Sequence, residues 1–291
     1  MNEKVFTLPV VEQISPYISQ RQLDELPVVV VSHPKVRAAV CLQGAHLLAY
    51  QPSGEQPVIW LSNNTPFKDG VAIRGGVPIC WPWFGPSAQP SHGFARLLPW
   101  TLSAHDENEN GVILTFTLED SDESRKYWPH AFTLIARFKL GDECEMELES
   151  HGDYQAVAAL HTYFQIGDID QIKVSGLGEK YFDKVLKIAD ATQQGDLVFN
   201  GQTDRIYTQP EAYSLIKDAA LKRTIEIHHH HQSDVVAWNP GAEVASSMVD
   251  MPNEGYKTMV CVETARVNKP LVATPDAPAR LAMTIRSRKN S

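Results

Sequence analysis

The chain has 291 residues, 43% hydrophobic and 21% charged, a balance that supports a packed core and excludes a disordered polypeptide. Its formal net charge is −9, from 26 basic and 35 acidic residues, so nucleic acid is not an expected partner. No apolar run approaches the ~18 residues that a membrane span needs, and residues 1–13 lack the pattern of a signal or transit peptide, so a cytoplasmic protein with no membrane partner is expected.

In chain order, residues 9–25 form the first stretch that reads as helical, and 121–128 the second. Strands are expected at 28–32, 38–42, 112–118, 132–140, 143–149, 156–166, 172–175, 213–216, 224–230, 235–238, 258–263 and 280–286. The clearest is E-C-E-M-E-L-E, where Glu143, Glu145, Glu147 and Glu149 alternate with Cys144, Met146 and Leu148. Period two places the carboxylates on a wet face and the apolar set on a core face. Gly, Pro, Asn and Asp fill the connections, as in P-S-G-E, D-E-N-E-N-G and D-M-P-N-E-G. Many short strands, few short helices and no break in composition predict one all-β domain over 1–291, a large antiparallel sandwich or barrel.

The four cysteines, Cys41, Cys80, Cys144 and Cys261, are widely spaced in apolar segments, which suits reduced core thiols. His228 to His231 form a run of four, but on a strand neighbours face opposite ways, and no further ligand follows at a zinc spacing. No metal is expected. Met248, Met251 and Met259 read as core.

Two loop segments carry arginines. R-G-G-V-P-I-C-W-P-W-F-G runs from Arg74 to Gly85, and H-G-F-A-R from His92 to Arg96. A guanidinium fork matches phosphate or carboxylate oxygens, or it makes an ordinary surface ion pair. Gly75 and Gly76 would let a ligand approach the backbone. Trp81, Trp83 and Phe84 would either face a sugar ring or form a rigid loop core. Downstream, His161 ends the apolar run A-V-A-A-L-H and Glu263 ends T-M-V-C-V-E. Along a strand Ala159, His161 and Tyr163 share a face, as do Met259, Cys261 and Glu263. A carboxyl ending an apolar strand is costly to desolvate; burial raises its pKa toward that of a useful general base. An imidazole titrates near neutrality and is the complementary acid, or it is a structural histidine.

Together with L-H-T-Y-F, T-D-R-I-Y, W-N-P and V-C-V-E-T, these motifs resemble the D-hexose-6-phosphate mutarotases of the aldose 1-epimerase superfamily. The resemblance runs from about residue 28 to 286. It implies a galactose-mutarotase-like β-supersandwich that interconverts the anomers of a phosphosugar, glucose 6-phosphate foremost, without a cofactor. It assigns His161 as general acid, Glu263 as general base, Asp204 as a ligand of sugar hydroxyls, Arg74 and Arg96 as phosphate ligands, and His92 as a further site histidine. A monomer or weak homodimer is expected. The chain departs from many relatives in having Trp83 in place of Gln, and Thr264-Ala265 in place of Pro-Gly after the glutamate. Other readings are an epimerase of unphosphorylated sugars, a non-catalytic carbohydrate-binding sandwich, and a glycosidase using Asp204 and Glu263 as its two carboxylates.

Overall fold

A computed structural model describes residues 2–290. It is built from three antiparallel sheets. The first is a five-stranded meander of Val10–Ser15, Ile18–Leu23, Leu26–His33, Val36–Cys41 and His46–Pro52. The second has eight strands in the spatial order Ile172–Ser175, Tyr213–Asp218, Arg223–His230, Ala279–Lys289, Cys144–Gly152, Phe132–Gly141, Gly111–Glu119 and Thr101–Asn108. The third runs Ile188–Thr192, Lys180–Asp183, Thr203–Tyr207, Asp234–Asn239, Met259–Ala273, Tyr154–Leu160 and Ile79–Cys80, with Tyr163–Gln165 also paired to Met259–Ala273. The three α-helices are Asn2–Thr7, Asp122–Tyr127 and Gly241–Ser247, and no helix is long and apolar enough to cross a membrane.

One contiguous core draws on all three sheets. The run of four valines at 28–31 explains how the meander joins it. Val29 and Val31 enter that core, while Val28 and Val30 face a second cluster with Val5, Phe67 and Ile73. Both faces of this strand are therefore dry, and the apolar run is continuous rather than alternating. The strand of glutamates alternates as expected. Cys144, Met146 and Leu148 are fully buried, and the carboxylates meet Arg137, Lys139, Arg280 and Arg286 on the other face.

Residues 9–25 are not helical. They form the hairpin Val10–Ser15/Ile18–Leu23 that opens the meander. Apolar residues at 10, 11, 14, 17 and 18 imitate a helical spacing, but Pro16 in a helix interior would remove a hydrogen bond and clash with the preceding turn. The expected strand 156–166 is also interrupted: Tyr154–Leu160 stops, and pairing resumes at Tyr163–Gln165. The break falls at His161. The helix expected at 121–128 is present as Asp122–Tyr127, capped reciprocally by Ser121 and Ser124.

Candidate active site

The third sheet positions the site by simple alternation. On the strand Met259–Ala273, Val260 and Val262 point into the main core, and Cys261 and Glu263 point to the opposite face. On Asp234–Asn239, Val235 and Ala237 are in the core, and Trp238 lies on the face of Cys261, with which it is paired in register. Asp204 pairs with Trp238 one strand further on. His161 reaches this face because the R-G-G-V-P segment replaces the sheet there. The His161 amide donates to Pro78 O (3.0 Å) and the Tyr163 amide to Gly76 O (3.0 Å). The His161 ring then stacks on Tyr163 at 4.9 Å and 9°, and Tyr163 stacks on Trp60 at 5.8 Å, a column that fixes the imidazole plane.

His161 and Glu263 thus meet. Nδ1 of His161 lies 3.5 Å from Oε1 of Glu263, with no hydrogen bond formed at that nitrogen. Both side chains are buried, and His161 Nδ1 and Glu263 Oε2 have no protein partner. Burial pushes the Glu263 carboxyl well above its usual range; nearby Asp204 adds to this, and Lys184 opposes it. Burial likewise pushes His161 well below its usual value, reinforced by His92, Arg74 and Arg96. Each group is driven toward its neutral form.

His92 faces the same imidazole, with ring centroids 5.3 Å apart. Its backbone is left-handed (φ 63°), and it exchanges two hydrogen bonds with Gly85. The Gly85 amide donates to His92 Nδ1 (3.1 Å), and the His92 amide donates to Gly85 O (2.9 Å). Nδ1 is therefore an acceptor, and the neutral ring carries its proton on Nε2. Burial and the charges of Arg96, Lys184 and Arg74 hold His92 down to about 3, so it is neutral throughout the physiological range. Gly93 allows this turn to close: a Cβ there would sit 2.0 Å from Trp81 O.

Three cations surround His92, and their circumstances differ. Arg74 is engaged already, with Nε on Asp250 (3.1 Å) and a terminal nitrogen on the Tyr163 hydroxyl (3.0 Å). Arg96 donates one hydrogen bond to Ser91 O (2.9 Å), while its buried Nε has no partner and no carboxylate pairs with it among the described residues. Lys184 lies 3.4 Å from Asp204 and over the Phe84 ring at 5.6 Å. Burial raises the Asp204 carboxyl, and Lys184 opposes the shift.

All six residues singled out from the sequence, Arg74, His92, Arg96, His161, Asp204 and Glu263, fall in this one region. Lys184, Asp250 and Trp238 were not anticipated as site residues. Nothing local marks Lys184; it arrives beside Asp204 through the register Asp183 to Arg205 and a backbone hydrogen bond from Lys184 to Asp204 O (2.9 Å). One expectation needs correcting, and for Trp81 the rigid-loop-core reading holds. Gly76 makes room for the protein itself, since a Cβ there would lie 2.4 Å from Leu47 O. Trp81 is fully buried against Phe94, Trp128, Phe132 and Tyr154, and the Trp83 indole donates to Pro90 O (2.7 Å). Of the three loop aromatics, Phe84 borders the site.

The chain matches the aldose 1-epimerase family model over residues 27–285. It is 58% identical over 289 residues to a protein of Salmonella typhimurium named "Putative glucose-6-phosphate 1-epimerase", covering 98% of each chain. An Escherichia coli protein of the same name is 55% identical over 99% of this chain and 100% of its own. Among solved structures, a "putative mutarotase (YeaD)" of Salmonella typhimurium superposes with a TM-score of 0.97 at 57% identity, over 99% of both chains. A galactose 1-epimerase of Lactobacillus acidophilus shares the fold at a TM-score of 0.68 and 13% identity, over 94% of this chain and 98% of its own. With a matching supersandwich and a family model that spans nearly its whole length, this chain belongs to the aldose 1-epimerase family.

Proposed function

We propose that the chain interconverts the α and β anomers of hexose 6-phosphates, with glucose 6-phosphate the principal substrate. The observation that carries this reading is the buried pair His161–Glu263, 3.5 Å apart, in which His161 Nδ1 and Glu263 Oε2 have no hydrogen-bond partner from the protein. Arg96 argues for a phosphorylated sugar, because its unpaired guanidinium sits in a chain of net charge −9 that offers many carboxylates elsewhere. The names of the close relatives point the same way.

In the working state Glu263 is the carboxylate and His161 the imidazolium. Glu263 takes the proton of the anomeric hydroxyl while His161 protonates the ring oxygen. The bond between C1 and the ring oxygen breaks with its electron pair going to oxygen, and C1 becomes an aldehyde. Glu263 is now protonated and His161 neutral, the two forms that burial favours, so the environment stabilises the open-chain stage. Rotation about C1–C2 exposes the other carbonyl face, and the same proton transfers in reverse close the opposite anomer. Asp204 and the His92 Nε2–H hold hydroxyl groups, and Lys184 is an added cationic contact beside Asp204. A phosphate at Arg74 and Arg96 offsets two of the positive charges that depress His161, so substrate binding itself favours the imidazolium. The groups named here all belong to this chain, and the proposed acting form is a monomer or weak homodimer.

A second reading, an epimerase of free hexoses, draws support from Arg74, whose bonds to Asp250 and Tyr163 are those of a structural arginine. Exchange NMR on equilibrated glucose 6-phosphate and on glucose separates the two. Enzyme-dependent exchange much faster for the phosphate is the expected result; equal or faster exchange for glucose selects the second reading, and acceleration of neither rejects both.

A further inference from the structure

Cys261 has no part in the proton transfers, yet it stands two residues before Glu263 on the same face of the same strand, fully buried and free of any disulfide. A nitrogen of His161, the Sγ of Cys261 and a carboxylate oxygen of Glu263 all lie within 4.8 Å of one another, the only such threesome among the described residues. We propose that these three side chains form an inhibitory binding site for a thiophilic divalent cation, zinc foremost, that competes with the sugar for the catalytic pair. The inhibition rests on the roles given above to His161 and Glu263; the binding does not.

The donor set is one that zinc takes: a thiolate, an imidazole and a carboxylate, whose two negative charges balance the ion. Bonds of ~2.0–2.3 Å in a tetrahedral array place donors roughly 3.3–3.8 Å apart. The His161 Nδ1–Glu263 Oε1 separation of 3.5 Å already fits, and the 4.8 Å limit on the sulfur calls for about an ångström of side-chain adjustment. His161 Nδ1 and Glu263 Oε2 are buried without partners, so no existing hydrogen bond is sacrificed at those atoms. Three protein ligands leave the fourth position to water. Burial holds the Cys261 thiol far above its usual value, which makes it a poor nucleophile; as it binds, the metal would displace two protons to solvent, that of the thiol and the one held by Glu263.

The test uses the full chain carrying His228→Asn and His230→Asn. Those two half-buried rings lie 4.2 Å apart and would otherwise chelate metal without sulfur. Cobalt(II) is added as the probe, and absorption is recorded. One equivalent is expected to give a thiolate-to-cobalt charge-transfer band with intense tetrahedral d–d absorption, abolished in Cys261→Ser and displaced by glucose 6-phosphate. Zinc is expected to stop anomer exchange reversibly to chelator, with at least a tenfold weaker effect in Cys261→Ser; Cys261→Ala replaces that variant if serine prevents folding. Absence of the band in the chain with Cys261 intact, or its survival in both Cys261 variants, overturns the proposal. A band in a protein that exchanges no sugar leaves the metal site standing and removes the mutarotase reading; fast exchange with no band does the reverse.

Discussion

Two glutamates on buried strand positions are treated in opposite ways. Glu149, 6% exposed, accepts from His151 (2.6 Å), Arg280 (2.9 Å) and Arg137 (3.3 Å); burial raises its pKa, but these partners outweigh it and hold the carboxyl below its usual value. Glu263, 1% exposed, has one oxygen 3.5 Å from an imidazole, the other unpartnered, and a pKa driven up. Burial is common to both, so burial alone does not separate them. What separates them is the partnering: Glu149 is held by three side-chain donors, whereas Glu263 Oε2 has none, the feature on which its proposed role rests.

The largest effect that would sharpen this contrast is kinetic. Glu263→Gln or His161→Asn is expected to slow anomer exchange by ~10²–10⁴-fold while leaving the melting temperature unchanged or raised. Glu149→Gln is expected to leave exchange intact and to cost about 1 kcal/mol, since its arginine partners are partly exposed to solvent. Slow exchange in Glu149→Gln, or normal exchange in Glu263→Gln, would break the comparison. Next in size is Arg96→Ala. Losing one charge-assisted contact of ~1.5–3 kcal/mol is expected to raise KM for glucose 6-phosphate by roughly 10- to 150-fold, with glucose unaffected. An unchanged KM would make Arg96 structural.

A smaller effect lies in the pH dependence of stability. The folded-state pKa of Glu263 lies above its ordinary 4.5, so its contribution is complete below pH 4.5 and is lost as pH rises beyond it. That of Glu149 lies below 4.5, so its contribution is present above pH 4.5 and is lost as pH falls through the depressed value. Urea unfolding across roughly pH 3–8 is expected to show Glu263→Gln flattening the curve on the alkaline side of 4.5, and Glu149→Gln flattening it on the acid side. The smallest effect is activation in two pieces. Inorganic phosphate, by occupying the Arg96 region, is expected to accelerate exchange of free glucose modestly and saturably, and to do nothing in Arg96→Ala.

The face on which Glu263 lies was legible in the sequence from strand alternation, whereas Asp204 and His92 were singled out only by the motifs that resemble the family. Cys261 and Glu263 are placed on one face by their own spacing, and the core valines on either side establish which face it is. Lys184 and Asp250 were not legible. Asp250 meets Arg74 across 176 positions of chain, and only the closing of the sheets decides that contact. The hairpin at 10–23 was misread because its apolar spacing mimics a helix, and Pro16 was the residue that should have outweighed it. The strand break at His161 had no local signal, since it depends on Gly76 and Pro78 supplying the acceptors.

The strand Met259–Ala273 has a consequence for how this enzyme fails. Val260 and Val262 are anchored in the central core, and Glu263 shares their backbone. Among the described residues no independent lobe, lid or hinge lies between the proposed catalytic carboxyl and the packing that sustains the molecule, so the active geometry cannot soften ahead of the fold. Heating is therefore expected to bring inactivation and melting together in one curve, leaving no temperature at which an intact but idle protein accumulates.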